Sequence, residues 1–179
     1  MHSATPLNRF LEQIEQRAYR IARYAVRDAD VALDVVQDAM LTLATRYADK
    51  PEREWAPLFH RILRNAIIDH HRRQRIRAAV FMPWQSRNGA DLPAPGELIA
   101  DGKHAEPEYR AQLSSAGERL TAALEALPPR QREAFLLRAW EGLDVADTAR
   151  AMQCSAGSVK THYFRAVHRL RASLGDDWP

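Results

Sequence analysis

The sequence predicts an all-α protein made of two small helical domains joined by a linker that contains proline and glycine. Apolar residues recur at helical spacing in both halves of the chain, and the apolar–polar alternation typical of a strand is nearly absent. Proline and glycine concentrate between the two halves. We therefore expect an N-terminal three-helix domain over residues 1–78, a linker over 79–113 and a C-terminal domain over 114–179.

The composition narrows the class of protein. Of the 179 residues, 46% are apolar, which is enough for one or two small cores, and 27% are charged. The net charge is +3 and the sequence pI is about 9.3, so the chain is mildly basic. Its one cysteine, Cys154, excludes an internal disulfide bond and suits a reducing cytoplasm. No apolar run reaches the ~18 residues of a membrane span, and the N-terminus lacks the apolar core of a signal peptide.

Two helices are predicted in the first fifty residues, over Leu7 to Tyr24 and over about Asp30 to Tyr47, with Asp28-Ala29-Asp30 as the break between them and the acidic N-cap of the second. The apolar face of the first helix is expected to contain Phe10, Ile14, Ala18, Ile21 and Ala25. Arginines 17, 20 and 23 are expected to lie off this face. The core stripe of the second helix is expected to contain Leu33, Val36, Met40, Leu43 and Tyr47.

A second face of this helix carries Asp34, Gln37, Asp38 and Leu41 at spacings of i, i+3, i+4 and i+7. Two carboxylates, an amide and an exposed leucine on one face suit a partner helix that carries arginine or lysine. A solvated face with one stray leucine is the alternative, and periodicity does not separate the two.

A third helix is predicted from Arg53 or Glu54 to about Ala78, with Pro57 in its first turn because proline breaks a helix interior. Its inward residues are expected to be Leu58, Phe59, Ile62 and Ala66. Between His60 and Arg77 the helix holds six arginines and one acid. Such a cluster suits phosphate contacts, although a basic helix end also complements the helix dipole.

The predicted linker is acidic, with six acids against three basic residues between Ala78 and Glu118. Phe81, Met82 and Trp84 at its start are too apolar for free coil, so we expect them to dock on a domain or a partner. The C-terminal domain is expected to begin with Leu113, Leu120, Leu124 and Leu127.

The stretch from Leu127 to Leu174 predicts a helix-turn-helix. Pro128-Pro129 suits a helix start, Gly142 its C-cap, Asp144 the N-cap of a short second helix and Ser155 the N-cap of a third. The apolar faces of the three helices are expected to contain Ala134, Phe135, Leu136, Leu137 and Ala139, then Val145, Ala149 and Met152, then Val159, Tyr163 or Phe164, Val167 and Leu170.

Four basic residues and no acid lie between Ser158 and Leu174. A basic helix after a tight turn fits the major groove of DNA. An ordinary three-helix bundle with a solvated basic face is the alternative, and the one-sided charge speaks against it.

Taken together, the motifs resemble those of a bacterial RNA polymerase sigma factor of the extracytoplasmic-function (ECF) group, within the sigma-70 family. The resemblance covers about Leu7 to Arg77, which is similar to region 2 of the family, and Ala116 to Leu174, which is similar to region 4. The motifs that carry it are Asp34-Val35-Val36-Gln37-Asp38-Ala39, Arg61-Ile62-Leu63-Arg64-Asn65 with Asp69 and Arg72-Arg73, Leu127-Pro128-Pro129-Arg130-Gln131-Arg132-Glu133, and Gly157-Ser158-Val159-Lys160-Thr161.

The resemblance implies a promoter-specificity subunit that binds core RNA polymerase, directs it to promoters and helps to melt DNA. Its polymerase-binding residues would be Asp34, Gln37, Asp38 and Leu41. Its −10 element residues would be Arg61, Arg64, Asn65, Asp69, Arg72 and Arg73. Its −35 element residues, on the helix-turn-helix, would be Ser155, Gly157, Ser158, Lys160, Thr161, His162, Arg165 and Arg169. The implied partners are core polymerase, double-stranded promoter DNA, its melted single strand and, as is common in the group, an anti-sigma factor.

The sequence departs from the usual pattern at Gln153, where the turn commonly has glycine, and at His162, where arginine is frequent. If position 153 requires the left-handed conformation, glutamine costs about 1 kcal/mol there.

Neither a phosphate-binding glycine loop nor a nucleophile motif is present, and the histidines and Cys154 lack a close ligand pairing. We therefore expect no enzyme activity, cofactor or metal, and a cytoplasmic location. The alternative function is a stand-alone helix-turn-helix regulator with an N-terminal dimerisation or sensing domain. Such a regulator has no need of both an acidic partner face and an arginine-rich helix in its first 77 residues.

Overall fold

The computed structural model describes residues 5–81 and 115–175, and every regular element in these ranges is helical. The first range contains α1 (Pro6–Val26), α2 (Ala29–Arg46) and α3 (Glu52–Phe81). The second contains α4 (Ser115–Ala126), α5 (Pro129–Phe135), a π-helical turn (Leu136–Trp140), α6 (Val145–Met152) and α7 (Ala156–Leu174). The predicted all-α class is confirmed.

Polar side chains fix the helix starts. Asp144 and Ser155 each accept a hydrogen bond from a backbone N–H in the first turn of α6 and α7, as predicted. Gly142 lies at a φ of +69°, which also agrees with its predicted role as a helix stop. The start of α2 agrees with the acidic N-cap predicted within Asp28-Ala29-Asp30, since Asp28 caps the helix, with its Oδ1 2.9 Å from the nitrogen of Val31.

Pro57 lies in the second turn of α3 rather than in the first, because the helix already begins at Glu52. A proline at this depth removes the hydrogen bond to the carbonyl four residues earlier. Pro57 is buried, as are its neighbours Trp55 and Phe59. This turn therefore contributes apolar side chains to the first core in spite of the lost bond.

The first core lies between α1, α2 and α3, and alanines are four of its nine fully enclosed residues. Its fully enclosed members are Ile14, Ala18, Ala22, Ala32, Val36, Ala39, Leu43, Phe59 and Leu63. The predicted stripes are therefore displaced: Leu33 is 42% exposed, and Leu58, Ile62 and Ala66 are only partly buried. The alanines explain the difference, since they let helices approach closely and turn the larger neighbours outward.

The C-terminal domain has two apolar clusters. One joins α4 to α7 through Leu124, Leu127 and Leu170, and the other surrounds Met152 and Val159 in the helix-turn-helix. Two predicted core residues face outward instead: Ala139 is exposed, and Phe164 is 64% exposed while its neighbour Tyr163 packs inward. Near Ala139 the π-helical turn changes the helical register, which a regular 3.6-residue period does not anticipate.

The two domains pack against each other. Tyr24 of α1 belongs to the apolar cluster of α4 and α7, and Ala56 of α3 packs on the cluster around α6. Arg23, which was expected to lie outside the apolar face of α1, is buried as well. Arg132 donates hydrogen bonds to the carbonyls of Tyr24, Glu125 and Leu127 at 3.1 to 3.2 Å. One guanidinium thus joins α1 to the end of α4.

Helix α3 ends at Phe81, three residues after the end predicted for it at about Ala78. The docking predicted for Phe81, Met82 and Trp84, and the packing predicted for Leu113, lie outside the side chains that the structure describes.

Gln153 occupies the left-handed region, with φ +52° and ψ +50°, at the C-cap of α6. We expect Gln153→Gly to unfold at higher denaturant concentration than Gln153→Ala, by about 1 kcal/mol in the free energy of unfolding, because only glycine adopts this conformation without strain. Both variants lose the glutamine side chain, so their difference isolates the backbone. Chemical denaturation followed by circular dichroism measures it, and equal stabilities would contradict the assignment of strain.

Candidate nucleic-acid and partner interfaces

The acidic face of α2 is open to solvent. The side chains of Asp34, Gln37, Asp38 and Leu41 are all exposed, and Leu41 is 63% exposed. Spacings of three and four residues place these four side chains on one side of the helix. Leu33 adds a second exposed leucine beside them. An apolar group surrounded by carboxylates is the composition of a contact surface for a basic partner.

The basic helix α3 carries Asn65, Asp69, Arg72 and Arg73 as exposed side chains, with Arg61 partly exposed one turn earlier. Residues 61, 65, 69 and 72 follow one another at spacings of four, four and three, so they form one stripe along the helix. This stripe faces away from the first core, and it places an amide, a carboxylate and guanidinium groups together on the surface.

Arg64 differs from the rest of this set. Its Nε lies 3.0 Å from Oε1 of Glu133 in the C-terminal domain, and its side chain is only 13% exposed. Its Nη1 also lies 3.4 Å from the side-chain oxygen of Gln153. The predicted DNA contact of Arg64 is therefore occupied by protein groups in this arrangement of the domains.

The first turn of α7 uses its hydroxyl groups internally. The Oγ of Ser155 accepts a hydrogen bond from the nitrogen of Ser158 at 3.1 Å and lies 2.9 Å from the Oγ of Ser158. The hydroxyl of Thr161 donates to the carbonyl of Gly157 at 3.0 Å. The hydroxyls of Ser155 and Ser158 thus fix the start of the helix. To contact a base, they would have to exchange their present hydrogen-bond partners for it.

The exposed side of α7 is basic. Lys160, Arg165 and Arg169 are all exposed, and Phe164 lies among them. The ring of Phe164 is 4.3 Å from that of His168, centroid to centroid. A cationic face with an aromatic pair suits contact with a nucleic acid.

Three histidines of the two basic helices, His70, His71 and His162, add little positive charge. Burial is the main cause that lowers the pKa of His70 and His71 on α3, and the charge of nearby arginines lowers it further. Burial and the positive charges of Arg130 and Arg165 lower the pKa of His162 in the same way. All three are neutral at pH 7, so arginine and lysine carry the charge of both surfaces.

Within the described residues there is no group of three or more histidine, cysteine or acidic side chains that could hold a metal ion. In the same part of the chain, each helix is too short or too polar to cross a membrane.

Two family profiles match the chain in the order that the motifs suggested. Sigma-70 region 2 matches residues 10–77, and Sigma-70, region 4 matches residues 117–170. The chain belongs to the sigma-70 family. The first match contains the acidic face of α2 and the arginine stripe of α3, and the second contains the helix-turn-helix.

Similar proteins place the chain among ECF members of the family, which confirms the resemblance drawn from the sequence. The ECF RNA polymerase sigma factor SigM of Mycobacterium tuberculosis is 32% identical over 165 residues, which cover 89% of this chain and 72% of that protein. SigD of the same organism is 30% identical over 177 residues, with 94% and 76% covered. BldN of Streptomyces coelicolor is 29% identical over 177 residues, and the chain spans 62% of its length.

A solved structure has the same fold. The sigma factor RpoE, crystallised in complex with the anti-sigma factor NepR from Bartonella quintana, superposes with a TM-score of 0.64 at 23% identity. The match covers 95% of this chain and 97% of that one, so the likeness includes both sigma-70 domains.

Sequence reasoning placed most candidate residues on exposed surfaces but missed the acids between the domains. Glu133 appeared only as part of a motif, and Glu141 was not singled out. Burial raises the pKa of Glu133 even though Arg64 and Arg130 lie beside it. The side chain of Glu141 is 2% exposed. No local pattern marks such residues, because their partners lie far away in the sequence.

Proposed function

We propose that this chain is a promoter-specificity subunit of bacterial RNA polymerase, which binds the core enzyme, directs it to promoters and assists DNA melting. One observation supports this proposal most strongly: the chain contains a region 2 domain followed by a region 4 domain, in the order that the family has them. The polymerase performs the chemistry, and this subunit supplies recognition. Because it works on the chromosome with the polymerase, we place it in the cytoplasm.

The acidic face of α2 is the proposed polymerase contact. Asp34 and Asp38 supply charge that steers a basic partner helix, and Leu41 supplies apolar area that loses water on binding. Covering this leucine with a partner would remove apolar area from water and so favour binding. Gln37 adds a hydrogen-bonding group between the two carboxylates.

The stripe on α3 is the proposed contact for the −10 element. Melting requires that bases of one strand be held while the phosphate charge is neutralised. Asn65 and Asp69 offer hydrogen bonds to base edges, and Arg72 and Arg73 offer charge to phosphates. Arg61 adds a partly exposed guanidinium to this surface, and Arg64 would add a second one if it exchanged its contacts with Glu133 and Gln153 for DNA.

The start of α7 is the proposed contact for the −35 element. Its exposed Lys160, Arg165 and Arg169 suit phosphates and base edges in a major groove. Gly157 supports this placement, because a Cβ atom added there would meet only the hydroxyl of Ser155, at 3.8 Å. A side chain would therefore fit at this position. Because glycine has none, the space stays open for an approaching DNA backbone. Neutral His162 contributes hydrogen bonds rather than charge.

We expect Asp34→Arg combined with Asp38→Arg to weaken binding to core polymerase by about 100-fold or more, because like charges would then meet across the contact. Co-purification and fluorescence titration with core enzyme measure the effect. The matched control is Glu12→Arg with Glu15→Arg, which makes the same charge change on the exposed side of α1. If the wild-type protein does not bind core enzyme but binds duplex DNA as a dimer, the alternative function as a stand-alone regulator would be favoured.

Arg72→Ala combined with Arg73→Ala should reduce promoter opening by about tenfold or more, since two phosphate contacts are lost. Permanganate footprinting detects unpaired thymines at a promoter found by mapping the start sites of the wild-type holoenzyme. Arg46→Ala with Arg53→Ala removes two exposed arginines elsewhere and serves as the control. A normal open complex in the first variant would count against the stripe.

Lys160→Ala should weaken binding to promoter duplex at all sequences and reduce the slope of log K against log salt by about one unit, because one phosphate contact disappears. Fluorescence anisotropy at several salt concentrations gives the slope. Lys50→Ala, on the exposed loop between α2 and α3, should leave the slope unchanged. If the two variants behave alike, Lys160 does not contact DNA.

A further inference from the structure

Arg130, near the start of α5, makes two hydrogen bonds through one nitrogen atom. Its Nη1 lies 3.0 Å from the backbone carbonyl oxygen of Met152 and 3.0 Å from Oε2 of Glu133. Met152 is the last residue of α6, whereas Arg130 and Glu133 lie about one turn apart on α5. All three residues belong to the C-terminal domain. The guanidinium therefore joins the end of α6, the first helix of the helix-turn-helix, to α5.

The carbonyl of Met152 needs such a donor. The last carbonyls of a helix have no partner within the helix, so that water or a side chain has to satisfy them. Met152 is 0% exposed, and water therefore does not reach its backbone. The next two amides, of Gln153 and Cys154, both donate to the carbonyl of Ala149 instead. Loss of Arg130 would remove the side-chain donor of a buried acceptor, and an unpaired buried acceptor costs free energy.

Met152 connects this bond to α7. Its side chain packs with Val159 of α7 in one apolar cluster, and only residues 153–155 separate it from the start of that helix. The other end of α6 is held separately, because the guanidinium of Arg138 donates to the carbonyl of Leu143. Without Arg130, α6 would stay attached at its start and be released at its end, next to α7.

Helix α5 provides a fixed support for the bond. The ring of Phe135 stacks on that of Tyr163 of α7, with 6.1 Å between the centroids and 15° between the planes. The side chain of Arg130 is only 20% exposed, which restricts its movement. Burial and, after it, the charge of Arg130 lower the pKa of His162, so the guanidinium lies near α7 as well.

We propose that Arg130 is a positioning residue for sequence recognition: by holding the carbonyl end of α6, it sets the place of the first turns of α7 relative to the bases of the −35 element. Hydrogen bonds to base edges weaken steeply when a donor moves or turns, whereas attraction to phosphates falls slowly with distance. Arg130 therefore affects the choice of sequence more than the affinity for DNA in general. This inference rests on the proposed function, since it requires that α7 read a −35 element.

Hydrogen exchange in the free, full-length chain tests whether Arg130 holds the turn. The variant is Arg130→Met, which keeps an apolar stem but has no donor. We expect the amides of Gln153 and Cys154 to exchange at least about tenfold faster than in the wild type, because the end of α6 opens more often. The amide of Leu170, in the other apolar cluster of the domain, is the reference and should change by less than about threefold. NMR gives the rate at each amide.

DNA binding by the holoenzyme tests the effect on recognition. Fluorescence anisotropy compares a duplex that carries the −35 element but ends before the −10 element with the same duplex after the −35 element is scrambled. The element comes from a promoter found by mapping the start sites of wild-type holoenzyme. For Arg130→Met we expect the ratio of the two affinities to fall by about tenfold, which is the discrimination that one good base contact supplies. Affinity for the scrambled duplex should change by less than about twofold and the salt slope should stay the same, because no phosphate contact is lost.

Two further variants serve as controls. Arg130→Lys keeps the charge and a donor for the carbonyl of Met152, so it should bring the ratio back to within about threefold of the wild type. Arg46→Met removes an exposed arginine of α2 with the same change in charge and should alter neither the ratio nor the exchange rates. Circular dichroism and thermal melting verify that each variant is folded. Should Arg130→Met unfold, Arg130→Gln replaces it, with an expected loss of about threefold or more in the ratio.

Three results would overturn the proposal: unchanged exchange at Gln153 and Cys154, an unchanged affinity ratio, or a salt slope that falls by about one unit. The last result would make Arg130 a direct phosphate contact. A wild-type holoenzyme that does not prefer the intact element would refute the proposed function, and the role in recognition with it. Faster exchange in Arg130→Met would still support the hold of Arg130 on the turn, so the two failures are distinguishable.

Discussion

Helix α3 packs in the first core, contacts the second domain and carries exposed arginines. The position of this one helix therefore constrains the rest of the structure. Phe59, Leu63 and Ile67 lie four residues apart and fill the first core. One position further along the chain, His60 and Arg64 meet the acids of the second domain. The exposed arginines of the C-terminal half occupy the remaining side. Because one rigid helix holds all three sets, a shift that improves one contact displaces the other two.

Charged side chains determine the chemical character of the surface, as buried apolar side chains determine that of the interior. The lowered pKa values of His70, His71 and His162 leave these three side chains neutral at pH 7, so guanidinium and ammonium groups carry most of the positive charge of the two basic surfaces. The acids are placed differently: one set lies exposed on α2, and another lies buried between the domains.

Local signals predicted the elements well because they depend on neighbours in the chain. Asp144 and Ser155 were identified as caps from residue type and position alone, and both perform that role. The core faces were harder. Leu33 and Phe164 are large and apolar and were expected to turn inward, yet alanines and Tyr163 occupy the contacts instead. Periodicity defines which residues share a face, but the shape of the opposing helix decides which face is buried.

The sequence by itself determined the all-α class, the order of two sigma-70 regions and the exposed residues that make their surfaces chemically distinct. These features follow from helical spacing, caps and clustered charge, all of which act over a few residues. Only the tertiary structure decided that Arg64 faces Glu133 and that Glu141 lies between Arg17 and His60. Such pairs join residues about seventy to one hundred and twenty positions apart. Their partners are chosen by how two domains dock, and no short pattern encodes that choice.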